Sequence, residues 1–178
     1  MKVVILAGGF GTRFGNQTEY VPKPMIRIGS HPMLWHIMKL YMHYGFNDFV
    51  LCLGYKGDMM KEYFLNYPFY NNDFTMSYTN KGEVKVEPHV KGAHEQIRVT
   101  LAHTGLKTKT GGRLKRIQDY IKDENFLVTY GDGVADINIG ELVKFHEKNG
   151  KIATLTGVYS PGRFGNCRQC AISYSVHV

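Results

Sequence analysis

The chain has little cysteine: Cys52, Cys167 and Cys170 are the only three in 178 residues. An odd count that small excludes a disulfide framework, and the three read as ordinary reduced thiols. Cys167-Arg-Gln-Cys170 has the spacing of a redox or zinc pair. A structural zinc site would want a second ligand pair, and only His177 lies downstream, so no metal is expected there. Long apolar runs are missing too. The opening Met1-Lys2-Val3-Val4-Ile5-Leu6-Ala7 is too short for a signal peptide, and nothing later approaches the roughly 18 apolar residues of a membrane span. The expectation is a cytoplasmic protein with no membrane partner. There is no internal repeat, no low-complexity tract and no Gly-Lys-Ser/Thr triplet, which excludes a P-loop. A dinucleotide G-x-G-x-x-G beginning at Gly9 would need glycine where Phe14 stands.

What is present is a globular composition, 43% hydrophobic and 21% charged, with a formal net charge of +7. The basic residues are scattered, and the densest group is Arg113-Leu114-Lys115-Arg116, without any recognised nucleic-acid motif. No nucleic-acid partner is expected; a basic balance equally suits substrates that carry several phosphates.

Hydrophobic periodicity gives an alternation of strands and helices. Residues 2–6 form an apolar run ending at glycines, as a buried parallel strand does. Residues 32–44 read as a helix capped by Ser30 or His31, with Leu34, Ile37, Met38 and Tyr41 as its apolar stripe and Gly45 at its end. A strand at 48–53 and a helix at 57–65 follow. Residues 66–95 interrupt the rhythm as an insertion with short alternating pieces at 74–78 and 83–87, suited to a hairpin serving as lid, oligomer contact or plain surface excursion. A strand at 97–103, a helix at 111–122 capped by Thr110, a strand at 126–130, a helix at 139–148 and a strand at 152–158 complete the series. Such alternation predicts an α/β fold around a mainly parallel sheet.

Three short motifs carry chemistry. Leu6-Ala7-Gly8-Gly9-Phe10-Gly11-Thr12-Arg13 directly follows the first strand, where open α/β sheets place ligands. Its glycines let backbone N–H groups approach phosphate oxygens, Thr12 offers a hydroxyl, and the Arg13 guanidinium can hold a phosphate bidentately. In Val21-Pro22-Lys23-Pro24-Met25 two prolines stiffen the backbone around Lys23, and a rigidly held ammonium beside a phosphate loop is a preorganised stabiliser of charge. In Tyr130-Gly131-Asp132-Gly133 an aspartate stands at the tip of a buried strand, where a metal carried by a nucleotide would meet it; Mg²⁺ prefers one or two carboxylates plus phosphate oxygens. Taken singly, each motif also reads as a turn: a glycine-rich one, one with an exposed lysine, and a Gly-Asp-Gly one.

Together the motifs resemble the signature of the sugar-phosphate nucleotidyltransferases: L-A-G-G-x-G-T-R, then K-P-M, then a strand ending in G-D. Leu34-Trp35-His36-Ile37-Met38, Gly54-Tyr55-Lys56-Gly57, Thr110-Gly111-Gly112-Arg113-Leu114-Lys115-Arg116, residues 129–136 and Pro161-Gly162-Arg163-Phe164-Gly165 are similar to the glucose-1-phosphate cytidylyltransferase branch. The resemblance implies a Rossmann-like three-layer fold and reaction of CTP with α-D-glucose 1-phosphate, giving CDP-glucose and pyrophosphate for lipopolysaccharide or dideoxysugar synthesis. It implies that Leu6, Ala7, Gly8, Gly9, Phe10, Gly11, Thr12 and Arg13 hold the nucleotide, with Arg13 on the leaving pyrophosphate. It also implies Lys23 at the reacting centre, Thr108 and Arg113 against substrate, Asp132 on Mg²⁺, and a homo-oligomer at full length. The alternatives are another nucleotide or sugar phosphate, or a nucleotide-binding protein without turnover.

The resemblance runs over residues 1–165, the expected N-terminal part of the domain. Residues 166–178 read as an atypical tail. The family's Glu-Lys-Pro segment and second metal-binding aspartate have no counterpart in this sequence. The expectation is therefore a shortened or frameshifted copy, or a fragment, that lacks the C-terminal part of the fold, with strand edges left open.

Overall fold

The computed structural model describes residues 1–10, 20–70, 72–89, 96–122 and 125–157. In chain order it has β1 (Lys2–Leu6), a 3-10 turn (Lys23–Met25), β2 (Arg27–Ile28), β3 (His31–Pro32) and α1 (Met33–His43). There follow β4 (Asp48–Leu53), α2 (Gly57–Tyr70), β5 (Asp73–Tyr78), β6 (Val84–His89) and β7 (Arg98–His103). The last are α3 (Thr110–Arg116), α4 (Gln118–Ile121), β8 (Phe126–Tyr130) and α5 (Ile139–Asn149). Two compact units divide the chain, Met1–Val134 and Ala135–Val178.

In the first unit β1, β4, β7 and β8 make a wholly parallel sheet in the order β7-β4-β1-β8. The apolar runs at β1 and β4 are continuous because both faces of these central strands are covered; Val3, Val4 and Ile5 are fully buried, as are Phe49, Leu51, Cys52 and Leu53. On one face Val4, Leu6, Val50, Cys52 and Ala102 meet Ile117 and Ile121, with Leu114 and Phe126 against them. Burying an isoleucine such as Ile117 contributes about 1.5–3 kcal/mol, so this face holds α3 and α4 firmly. Helix α1 covers the opposite face, with its buried Tyr41 beside Thr129, the residue that pairs with Ile5. Helices on both faces of a parallel sheet make the expected α/β layers. At the β8 edge Val128 and Tyr130 remain exposed.

Several local expectations change. Helix α1 has Pro32 at its N-cap with no side-chain cap; instead the Met33 amide donates to the Ile26 carbonyl at 2.9 Å, so neither Ser30 nor His31 is needed. Its C-terminus is as anticipated: Gly45 at φ +84 lets its own amide reach Met42 O and the Phe46 amide reach Tyr41 O, a Schellman motif. Helix α2 runs to Tyr70 rather than 65, straight through Pro68. Rings on one side of it, Tyr63 with Tyr67 at 5.8 Å and with Tyr70 at 5.3 Å, support the extension, as does the Trp35 Nε1 bond to the Tyr67 hydroxyl at 3.1 Å. The insertion therefore begins later than residue 66, and its hairpin is β5–β6. The helix expected over 111–122 is broken at Ile117, whose amide bonds to Leu114 three residues back, and its N-cap is Lys109, with Thr110 already helical.

In the second unit Asn138 Oδ1 accepts the Glu141 amide at 3.1 Å and caps α5, while Gly150 at φ +56 ends it. Residues 152–157 form no strand, and Val158 lies outside the described residues. A β-rich sequence becomes a strand only when another strand supplies its ladder; Ile152 and Leu155 are exposed, and His146 Nδ1 instead bonds Thr154 Oγ1 at 2.8 Å. Among the described residues no helix is long and apolar enough to cross a membrane.

Candidate functional site

Strand β1 has β4 on one side and β8 on the other, so the chain leaving β1 enters the crevice where the winding of the sheet reverses. The backbone shows the divergence: the Ala7 amide bonds to Cys52 O on β4, and the Gly131 amide, just past β8, bonds to Leu6 O, both at 3.1 Å. A cavity of about 660 Å³ opens above these strand ends. Of the residues expected in a site, Leu6, Ala7, Gly8, Gly9, Phe10, Lys23, Thr108, Arg113 and Asp132 all border it. Gly11, Thr12 and Arg13 lie outside the described residues, as do Cys167 and Cys170.

Lys23 and Asp132 stand 109 positions apart in sequence, yet Lys23 Nζ lies 3.4 Å from Asp132 Oδ2. Pro22 at φ −65 and Pro24 hold Lys23 in the 3-10 turn, closed by the Met25 amide on Pro22 O at 2.8 Å. Buried Pro24 then sets the second partner. A Cβ on Gly131 would come within 3.0 Å of Pro24 Cγ and 3.4 Å of Ala7 Cβ, so the close approach that glycine permits brings Asp132 to the lysine. The pair is a loose one, its side chains 19% and 41% exposed. Such a pair contributes under about 1 kcal/mol to stability, and both groups border the cavity. Asp132 is the only carboxylate on the described cavity wall, and no cluster of three or more His, Cys, Asp or Glu occurs among the described residues. That donor set fits a cation brought in by a nucleotide's phosphates, with one carboxylate from the protein, and does not fit an all-protein metal cage.

Beneath the glycine loop lies a feature that local motifs could not place. Arg113, only 5% exposed, reaches from α3 to the ends of three strands. Nη1 donates to Leu53 O at 3.0 Å and Thr104 Oγ1 at 2.6 Å; Nη2 donates to Gly8 O at 2.9 Å and Leu106 O at 3.4 Å. Every one of these acceptors is neutral. Burial lowers the Arg113 pKa from its ordinary value, the Cys52 thiol opposes that shift, and nearby Arg116 adds to it. Gly8 and Gly54 are glycine because the guanidinium takes their side-chain space: a Cβ would fall 2.2 Å and 2.8 Å from Nη1, respectively. The geometry thus gives the arginine a main-chain binding role under the cavity. Lys107 and Lys109, on the loop after β7, also border the cavity and were not singled out from sequence. The run Lys107-Thr108-Lys109-Thr110 after a parallel strand was the available signal. Phe10, its ring centroid 5.4 Å from that of Tyr55, also lines the cavity.

The sequence matches the family described as "Nucleotidyl transferase" over residues 2–167. It is 52% identical to glucose-1-phosphate cytidylyltransferase of Salmonella typhimurium over 166 residues, 93% of this chain and 63% of that protein. It is 47% identical to the probable glucose-1-phosphate cytidylyltransferase of Bacillus subtilis over 165 residues, with the same coverages. The chain therefore spans less than two thirds of the length of these relatives. A crystal structure of UDP-glucose pyrophosphorylase complexed with UDP-glucose shares the fold, with TM-score 0.60 at 16% identity over 84% of this chain and 54% of that one.

Proposed function

The chain belongs to the nucleotidyl transferase family, and from that premise we propose that its cavity binds CTP and, in the full-length protein, transfers the cytidylyl group to α-D-glucose 1-phosphate. The observation that carries this reading is the meeting of Lys23 and Asp132 at 3.4 Å beside the glycine loop. A cation and a carboxylate on stiff supports at a strand-end crevice are what a phosphate-transferring site needs. The identity to cytidylyltransferases supports the choice of base and sugar.

An oxygen of the sugar phosphate bonds to the α-phosphorus of CTP while the bond from that phosphorus to its bridging oxygen breaks and pyrophosphate leaves. Backbone amides of Gly8, Gly9 and Phe10 face the phosphates, as in other glycine-loop anion sites. Lys23 lies against the charge that develops as the bridging bond breaks, already oriented and so without reorganisation. Arg13 holds the leaving pyrophosphate and Thr108 contacts substrate. Asp132 would hold Mg²⁺, which when bound neutralises phosphate charge. The protein's share is positioning and charge stabilisation. The reading places the enzyme in the cytoplasm, in the synthesis of activated sugars for lipopolysaccharide. It also makes the full-length protein a homo-oligomer; the exposed apolar side of the β5–β6 hairpin, with Phe74, Met76 and Tyr78 opposite Pro88, Val86 and Val84, supports such a contact.

The chain covers 63% of its relatives' length, and that favours a second reading for these 178 residues by themselves: CTP binding without turnover. Calorimetry with CTP, UTP and dTTP, beside pyrophosphate release with glucose 1-phosphate, separates the two. CTP binding that Lys23→Ala weakens supports both readings, and turnover selects the first. Absence of CTP binding removes both.

A further inference from the structure

Arg113 and Arg116 are three residues apart on α3, and both turn toward the loop after β7. Arg116 does not border the cavity. Its Nη1 donates to Thr104 O at 2.7 Å and to Thr108 Oγ1 at 2.9 Å, so a single nitrogen ties both ends of residues 104–108. Gly105 turns the chain inside that closure at φ +87. A Cβ there would lie 2.3 Å from Arg116 Nη1 and 2.8 Å from Thr108 Oγ1, so the guanidinium occupies the space a side chain would fill. Thr108 in turn borders the cavity. A hydroxyl has one proton and two acceptor lone pairs, and left alone it rotates among staggered positions. Because Arg116 donates to Oγ1, a lone pair is occupied and the proton is left for an acceptor elsewhere.

We propose that Arg116 is a positioning residue of the nucleotide site. It touches no substrate; it closes the loop at residues 104–108 and commits the Thr108 hydroxyl to donating toward an anionic oxygen in the cavity. The inference rests on the reading of this cavity as a nucleotide site. It also explains why a loop with a flexible glycine can serve as a wall: the ordering is done by α3 before a ligand arrives, which removes part of the entropy that binding would otherwise cost.

The experiment measures the Kd for CTP with Mg²⁺ by calorimetry, together with amide exchange over residues 104–110 and the urea midpoint. It compares the wild-type chain with R116M, R116K, T108V and R116M/T108V. Methionine keeps the stem and removes the donors; lysine keeps one nitrogen able to serve both acceptors. R116M is expected to bind CTP roughly tenfold more weakly, as does T108V, with faster exchange in the loop. If Arg116 acts through Thr108, the double variant is no weaker than either single by more than about twofold, and R116K recovers most of the loss. A role in stability alone would move the urea midpoint and leave the Kd of the folded protein unchanged. CTP binding by R116M within about twofold of wild type, or losses that multiply in the double variant, overturns the proposal. A wild-type chain that binds no CTP is a different result: it overturns the nucleotide reading itself.

Discussion

Replacing Gly8 by alanine tests the buried arginine directly. The new Cβ would lie 2.2 Å from Arg113 Nη1, 2.5 Å from Cζ and 2.8 Å from Nη2. Ordinary non-bonded contacts lie near 3.5–4.0 Å, so something must move by roughly 1 Å or more. The guanidinium has no easy retreat, because it is held by Leu53 O, Thr104 Oγ1, Gly8 O and Leu106 O. Movement of the loop breaks the bond to Gly8 O and movement of the arginine breaks two or more, each charge-assisted bond contributing about 1.5–3 kcal/mol, for a total of about 1.5–6 kcal/mol. At roughly 2–4 °C per kcal/mol for a chain of this size, Tm falls by about 3–24 °C. Gly9 is the internal control: a Cβ there meets nothing within 4 Å, and its φ is ordinary. Gly9→Ala should change stability by less than about 1 kcal/mol, while its methyl group hinders phosphate approach and weakens CTP binding. Urea titrations followed by far-UV circular dichroism and by Trp35, the single tryptophan, give both stabilities. A Gly8→Ala protein within about 0.5 kcal/mol of wild type, or a Gly9→Ala protein equally damaged, would refute the account of Arg113.

Other expectations are narrower. Chelating Mg²⁺ should weaken CTP binding to the wild-type chain by about tenfold or more and leave Asp132→Asn changed by less than about twofold; equal sensitivity in both removes Asp132 from the cation site. Burial pushes the Cys52 thiol up from 9.0 to about 11, against the pull of the Arg113 charge. The unfolded chain thus loses that proton first, and between pH 9 and 11 the fold binds more protons. Stability should therefore fall by up to about 3 kcal/mol as pH rises through that window, with no such contribution below it. Cys52→Ala should lack this slope, and an identical slope in the variant contradicts the assignment. Asn138→Ala removes the cap from the Glu141 amide; a loss of about 1 kcal/mol in protection of the first turn of α5 is expected by hydrogen exchange, and unchanged protection would deny the cap its role.

Much of the fold was legible because it depends on local signals. The runs at β1 and β4, the stripe on α1 and the glycine at 45 each announce themselves within a few residues. The expectations that failed needed distant partners. The capping of α1 was settled by Ile26 O arriving from β2's approach. The length of α2 depended on Trp35 reaching Tyr67 from another helix. Residues 152–157 had strand-like content, but strand formation requires a neighbouring ladder, which their own composition does not supply.

The amino-acid sequence by itself determined the parts of the site: a glycine loop after the first strand, a lysine between prolines, and an aspartate at a strand tip. Each is a property of residues adjacent in the chain, so spacing alone reveals it. Only the tertiary structure decided how these parts meet. Sheet order, set by which apolar strands pair, brings Lys23 to 3.4 Å from Asp132 across 109 positions and carries Arg113 beneath Gly8 across 105. No local pattern distinguishes an arginine that will face a ligand from one that will be buried on main-chain carbonyls, and the run 113–116 leaves that open for Arg113. The choice follows from which carbonyls the strand ends gather beneath the loop, Gly8 O and Leu53 O among them, and that grouping exists only once the sheet has formed.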